Sequence, residues 1–126
     1  HAGIFSNAHD LAKYAQLFLN KGTWLGNRIF SDSSVDEFTT RQNLPPGSDY
    51  ALGWDTPSRN GKSSAGDYFS NKSYGHLGFT GTSLWVDSEN DVIVVLLTNR
   101  VHPTRQKKGM YSLRRNFHTE IMKAIL

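Results

Sequence analysis

His76 stands between Gly75 and Gly78, with Gly81 three positions on, where the chain enters the strand-like stretch SYGHLGFTGTSLWVD over residues 73–87. Imidazole titrates near neutral pH and can donate or accept a hydrogen bond, so a histidine at this place is a candidate acid–base or hydrogen-bonding group beside a cleft. The glycines admit two readings. Glycine in or beside a strand costs stability and is retained where a ligand or another backbone must come close; the same run is equally a glycine-rich strand edge with a satisfied histidine. Spacing alone leaves both open.

Other chemistries leave weaker marks. Nothing matches GxxxxGK followed by Ser or Thr, and the glycine spacing is not GxGxxG opening a helix, so a phosphate cradle is discarded. His1, His9, His76, His102 and His118 lie far apart without an HExxH, so each is expected at the surface or hydrogen-bonded in the core, and no metal or organic cofactor is expected. No serine has a lysine three positions on, no GxSxG elbow occurs, and Tyr-x-Asn is absent. Ser58-Arg59-Asn60 fits Ser-x-Asn, but it sits in a polar stretch where so short a pattern arises by chance.

At 126 residues, 37% hydrophobic, the chain can bury one core and is too short for two ordinary domains, so one unit spanning 1–126 is expected. The absence of cysteine rules out disulfides and thiolate metal sites and leaves the compartment open. No apolar run approaches the roughly 20 residues of a membrane helix, the longest being Val92 to Leu97. The first residue is histidine, which suggests a piece of a longer chain. The net charge is +3, and the basic excess is local: Arg100, Arg105, Lys107, Lys108, Arg114 and Arg115 fall in one stretch without acids. No aromatic residue interrupts it between Arg100 and Lys108, so it reads as a solvated loop entering a helix rather than a nucleic-acid surface.

The elements that would position His76 follow from pattern. Leu11, Tyr14, Ala15, Phe18 and Leu19 recur at helical spacing, predicting a helix over 7–21 that Ser6 or Asn7 caps and Lys21-Gly22 closes. A shorter helix starts after Ser31 or Asp32 and carries Val35 and Phe38 inward. YALGW at 50–54 is a strand candidate. Residues 55–72 read as a polar insertion, with a hairpin as one form it can take, rather than a disordered linker, with Tyr68 and Phe69 as anchors. From Tyr74 the pattern becomes sheet: 83–87 alternates, 88–91 is a turn, and 92–98 is apolar on both parities, so an antiparallel meander over about 74–99 with helices on both faces is expected. Met110, Leu113, Phe117, Ile121, Met122 and Ile125 predict a final helix with one apolar stripe. The fold class is α+β.

Three ordered blocks, HAGIFSNAHDLAKYAQLFLNKG at 1–22, YALGW at 50–54 and YGHLGFTGTSLWVD followed by DVIVVLLTNR, resemble the C-terminal part of the serine β-lactamase-like hydrolases, which include class C β-lactamases, D,D-peptidases and related esterases. In that family the cleft is lined by SxxK, by Tyr-x-Asn or Ser-x-Asn, and by a strand motif that His76-Leu77-Gly78 resembles in its His-x-Gly form. The resemblance implies that His76 supports the proton-transfer network, that Phe79 supplies one oxyanion N–H, and that Gly78 lets a substrate backbone lie close. Leu77 replaces the usual Thr or Ser, whose hydroxyl helps hold a substrate carboxylate, which turns the expectation from penicillins towards a small ester or peptide substrate.

The nucleophile and its lysine would lie upstream of everything matched, so the resemblance implies a fragment, inactive alone, whose natural partner is the missing N-terminal portion. The family's first strands and a covering helix also come from that portion. An open sheet edge and apolar face are therefore expected, with homodimerisation as one consequence. The rival reading is a noncatalytic peptidoglycan- or protein-binding module derived from the same fold.

Overall fold

Asn7, an N-cap residue, opens the first helix by accepting the Asp10 N–H on its side chain at 3.0 Å. The computed structural model describes residues 3–126, so His1 lies outside the described residues. Helix α1 runs Ala8–Leu19. It stops at Lys21 and Gly22, both at positive φ, with the Gly22 N–H on the Leu17 carbonyl at 2.8 Å. A Cβ at Gly22 would meet the Phe30 carbonyl oxygen at 2.4 Å, so crowding and backbone both demand glycine there. A small hairpin follows, β1 (Thr23–Trp24) and β2 (Asn27–Arg28), turned by Leu25 and Gly26 at φ 47 and 80. Helix α2 (Asp32–Thr39) is capped by Ser31, which accepts the Ser34 N–H. Val35 goes inward as expected; Phe38 does not and stays 49% exposed.

Residues 50–54 form a tight turn rather than the expected strand. Gly53 sits at φ 81, the Ala51 N–H meets the Trp54 carbonyl, and only single bridges tie Tyr50 to Asp55 and Asp55 to Gly75. Ala51 and Trp54 are nevertheless buried, so the apolar character of the stretch reported core and not extension. Residues 56–73 contain no hairpin. They wrap the sheet as turns pinned by Ala65 and Phe69, while Tyr68 remains exposed.

Strands β3 (Tyr74–Leu77), β4 (Ser83–Asp87) and β5 (Val92–Leu96) make an antiparallel sheet in the order β3-β4-β5. His76 pairs with Leu84 and Leu84 with Val95, setting one face; Gly75 pairs with Trp85 and Trp85 with Val94, setting the other. On the first face Leu84, Val86, Tyr74 and Trp54 pack with Ala15, Phe18 and Leu19 of α1. On the second, Trp85, Val92 and Val94 pack with Phe69, Ala65 and Met122 of the final helix, α3 (Met110–Ile125). Coverage from both sides explains why β5 is apolar on both parities.

The inward face of α3 differs from the stripe the sequence suggests. Met122 is buried, but beside it lie Arg114, His118 and Thr119, while Leu113 and Ile125 are exposed. The polar residues turn inward because backbone groups beneath the helix require partners that apolar side chains cannot supply: Arg114 and His118 donate to loop carbonyls, and Thr119 Oγ1 accepts the Asp67 N–H.

Candidate functional site: a groove beside the β3–β4 loop

Strand alternation sends Tyr74 and His76 to the α1 side and Gly75 and Leu77 to the α3 side. Tyr74 is sealed in the core, whereas His76, two residues on, is exposed where the strand leaves cover. It lines an open groove of about 1230 Å³ whose other walls come from α1, α2, the turn at Leu52–Trp54 and the chain after β5. Gly78 and Phe79 line the same groove, so the three expected site residues stand along one wall. Ser58 and Asn60 do not line it.

The glycines answer first to their own chain. A Cβ on Gly75 would lie 2.4 Å from the Trp85 ring, one on Gly78 would lie 2.0 Å from Thr82 Oγ1, and one on Gly81, at φ +98, would lie 2.3 Å from Thr98 Oγ1. Close packing therefore suffices to require all three. Gly78 still presents its backbone to the groove.

The loop from Gly78 to Thr82 has every carbonyl engaged. Arg114 Nε donates to Gly81 O at 2.8 Å, and Arg114 Nη2 donates to Gly78 O at 2.5 Å and Thr82 O at 3.0 Å. Arg100 donates through Nε to Phe79 O at 2.8 Å and through its N–H to Thr80 O at 2.9 Å. Thr98 Oγ1 adds a second bond to Thr80 O. The Arg100 guanidinium also lies 4.8 Å from the centre of the Phe79 ring. Gly78 N–H is taken by Thr82 O and Gly81 N–H by Gly78 O, but Phe79 N–H has no acceptor among the described residues. An unpartnered N–H beside a groove is a polar group free to meet a ligand, and the N–H groups of Thr80 and Thr82, also without an acceptor among the described residues, stand in the same loop.

Two of the six basic residues thus belong to the architecture and not to a solvated loop, a correction that concerns Arg100 and Arg114; Arg105, Lys107 and Lys108 are exposed as expected. Burial, reinforced by the nearby Arg100, lowers the pKa of Arg114. Sequence reasoning missed Asp55 as well. Asp55 exchanges both backbone bonds with Gly75, and burial raises its pKa while the neighbouring His76 opposes that rise.

A serine–histidine pair exists, but on the closed face. His118 is 0% exposed, its Nδ1 donates to Ser64 O at 2.8 Å, and its Nε2 therefore accepts from Ser83 Oγ at 3.2 Å. Burial lowers its pKa against the Ser64 hydrogen bond, with Arg114 adding to the fall. Ser83 is 4% exposed, at the floor of the groove, and the pair stitches α3 to β4. His9 and His102 are exposed.

A family model described as Beta-lactamase matches residues 1–118. Over 106 residues the chain is 40% identical to a Salmonella gallinarum protein named "Putative D-alanyl-D-alanine carboxypeptidase", a match covering 81% of this chain and 23% of that protein. The same identity and coverages hold for an N-acetylmuramyl-L-alanine amidase of Bacillus subtilis. The chain therefore spans about a quarter of the length of these relatives. A crystal structure of a β-lactamase from Mycobacterium bovis superposes with a TM-score of 0.69 at 25% identity, covering 96% of this chain and 43% of that one.

Proposed function

The chain belongs to the β-lactamase family, and from that premise we propose that it supplies one wall of a serine hydrolase site that cleaves an ester or amide through an acyl-serine intermediate. The observation that carries this reading is the Phe79 N–H, unpartnered and set beside exposed His76 in one groove. A serine activated by its lysine, both from polypeptide outside this chain, would attack the substrate carbonyl. The oxyanion so formed would receive the Phe79 N–H and the serine's own N–H; its collapse would break the ester or amide bond and expel the alcohol or amine, protonated through the network in which His76 hydrogen-bonds, and water would then release the acyl group as the acid. The names of the two relatives both describe an alanine-containing substrate, which favours an amide next to alanine over a penicillin.

The N-terminal partner is supported by what is left open. Strand β5 pairs only with β4 among the described residues, and Phe38, Phe30 and Leu52 expose apolar surface along the groove. We expect that surface and edge to receive the N-terminal portion, or in its absence a second copy of this chain.

Complementation tests the reading. Alone, the chain should neither turn over a chromogenic ester or an alanyl amide nor be labelled by a fluorophosphonate. With the N-terminal portion supplied, cleavage should appear, and His76→Ala should lower kcat by about 10²–10⁴. Stoichiometric labelling of a serine in the isolated chain would refute the incomplete-site claim. A parent sequence without SxxK would favour the noncatalytic binding module.

A further inference from the structure

Arg114 is nearly buried and makes no salt bridge among the described residues; its guanidinium is instead spent on the carbonyls of Gly78, Gly81 and Thr82. Such a triple engagement uses the planar fork of donors that arginine has and lysine lacks. A trans peptide holds its C=O and N–H in one plane, pointing in opposite directions across the C–N bond. The bond from Arg114 Nη2 to Gly78 O therefore also sets the direction of the Phe79 N–H, which shares that peptide and points away from α3. Arg100 Nε holds the carbonyl of the next peptide, Phe79 O, so the peptide that follows is fixed as well.

We propose that Arg114 is a positioning residue for the hydrolysis: through the Gly78 carbonyl it aims the Phe79 N–H at the place where the oxyanion forms. The inference rests on the hydrolase reading above and adds a residue, some 35 positions downstream of the motif, to the device that makes the motif work. Arg114 touches no substrate. Its effect appears in the transition state, when charge collects on the carbonyl oxygen, and hardly in substrate binding.

The test uses the complete protein, with the N-terminal portion present. Arg114→Lys keeps the charge but cannot hold three carbonyls, and a donor displaced by about 1 Å is expected to lower kcat on the order of 10- to 100-fold. KM should stay within about twofold, and affinity for a boronic acid that mimics the oxyanion should fall with kcat. Arg115→Ala, which removes the exposed pair with Asp67 on the same helix, should leave kcat at the wild-type level. Rates are normalised to folded protein by near-UV circular dichroism. A wild-type kcat in Arg114→Lys, a change in KM alone, or a loss of kcat that merely matches loss of folded protein overturns the proposal.

Should Arg114→Lys fail to fold, the wild-type protein labelled with 15N-phenylalanine gives a separate readout. Its Phe79 amide proton should move downfield on boronic acid binding, and an unmoved resonance overturns the inference. Absence of turnover in the complete wild-type protein would defeat the functional reading itself, whereas normal turnover in Arg114→Lys would defeat only the assignment of Arg114.

Discussion

The two faces of the β3-β4-β5 sheet are finished to different degrees. Beneath α3, Trp85 is 1% exposed and Met122 is buried, both ring nitrogens of His118 and both oxygens of Asp87 are hydrogen-bonded, and Arg114 is held through Nε and Nη2, with Trp85 Nε1 a buried donor left without a partner among the described residues. Beneath α1 the inner core is as tight, with Tyr14, Phe18 and Trp54 in contact, but it opens outward into a groove where His76 and Phe38 are exposed. The difference teaches which side does which work. The closed side fixes the shape of the loop, and the open side displays what that shape presents.

Truncation in each face measures this contrast most strongly. Trp85→Ala should destabilise the chain by about 3–5 kcal/mol, as expected for a buried aromatic. Phe38→Ala should cost under about 0.5 kcal/mol in the isolated chain, as for exposed positions. Urea denaturation of both variants checks the ratio. Were the N-terminal portion to cover the groove, the Phe38 cost would rise when that portion is bound; an unchanged cost would mean that the open face stays open.

A smaller effect is expected from Gly75→Ala, which attacks the closed side from β3. The added methyl would sit 2.5 Å from Leu84 O as well as against the Trp85 ring, so the strand or the indole must move. Overpacking of this kind costs about 1–3 kcal/mol. Trp85→Leu should relieve part of that cost in the double variant, and strict additivity by denaturant titration would show that the indole is not what Gly75 accommodates.

How far these features could be read in advance depended on the range of their causes. The limits of α1, the start of α2 and the β4–β5 hairpin were legible because caps, helical spacing and alternation are local. The α2 cap at Ser31 and the antiparallel pairing of 83–87 with 92–96 fall where expected. YALGW misled because the positive φ of Gly53 makes a turn of residues whose composition suits a strand. Strands β1 and β2, two residues each, are too short to carry any period. At the site, the position of His76 on a strand was visible in its surroundings. Arg114 was not, because its partners are backbone carbonyls more than 30 residues away and its neighbours in sequence are basic. A cation at the inward position of a helix register is the one signal that could have marked it.

Acidification should separate the faces next. Although burial raises the pKa of Asp87, bonds from Ser70, Asn90 and Glu89 outweigh it, so the carboxyl titrates below its usual value of 3.8. His118 likewise titrates below 6.5, chiefly through burial. In both cases the unfolded chain binds more protons across the window, so stability falls with pH: from 6.5 downward for His118, and below 3.8 for Asp87. Melting temperature measured from pH 8 to 5 should therefore decline, and His118→Gln should flatten that limb. An unaltered slope would place its origin elsewhere.

Asp55, bridged to Gly75 and near enough for His76 to act on its charge, has the opposite sign and the smallest expected effect. Burial raises its pKa above 3.8, so the folded chain binds the proton more tightly than the unfolded one. The carboxyl's contribution is fully present below 3.8 and is lost as pH rises through the folded value. Asp55→Asn removes that loss while leaving the backbone bonds to Gly75 in place. Its stability relative to wild type should therefore be unchanged near pH 3 and higher, by under about 1 kcal/mol, at pH 7. The neighbouring His76 sharpens the test, because its attraction for the carboxylate opposes the rise. With His76→Ala in the background, the advantage of Asp55→Asn should grow at a pH where the imidazole is charged. If it stays the same, the two side chains do not act on one another.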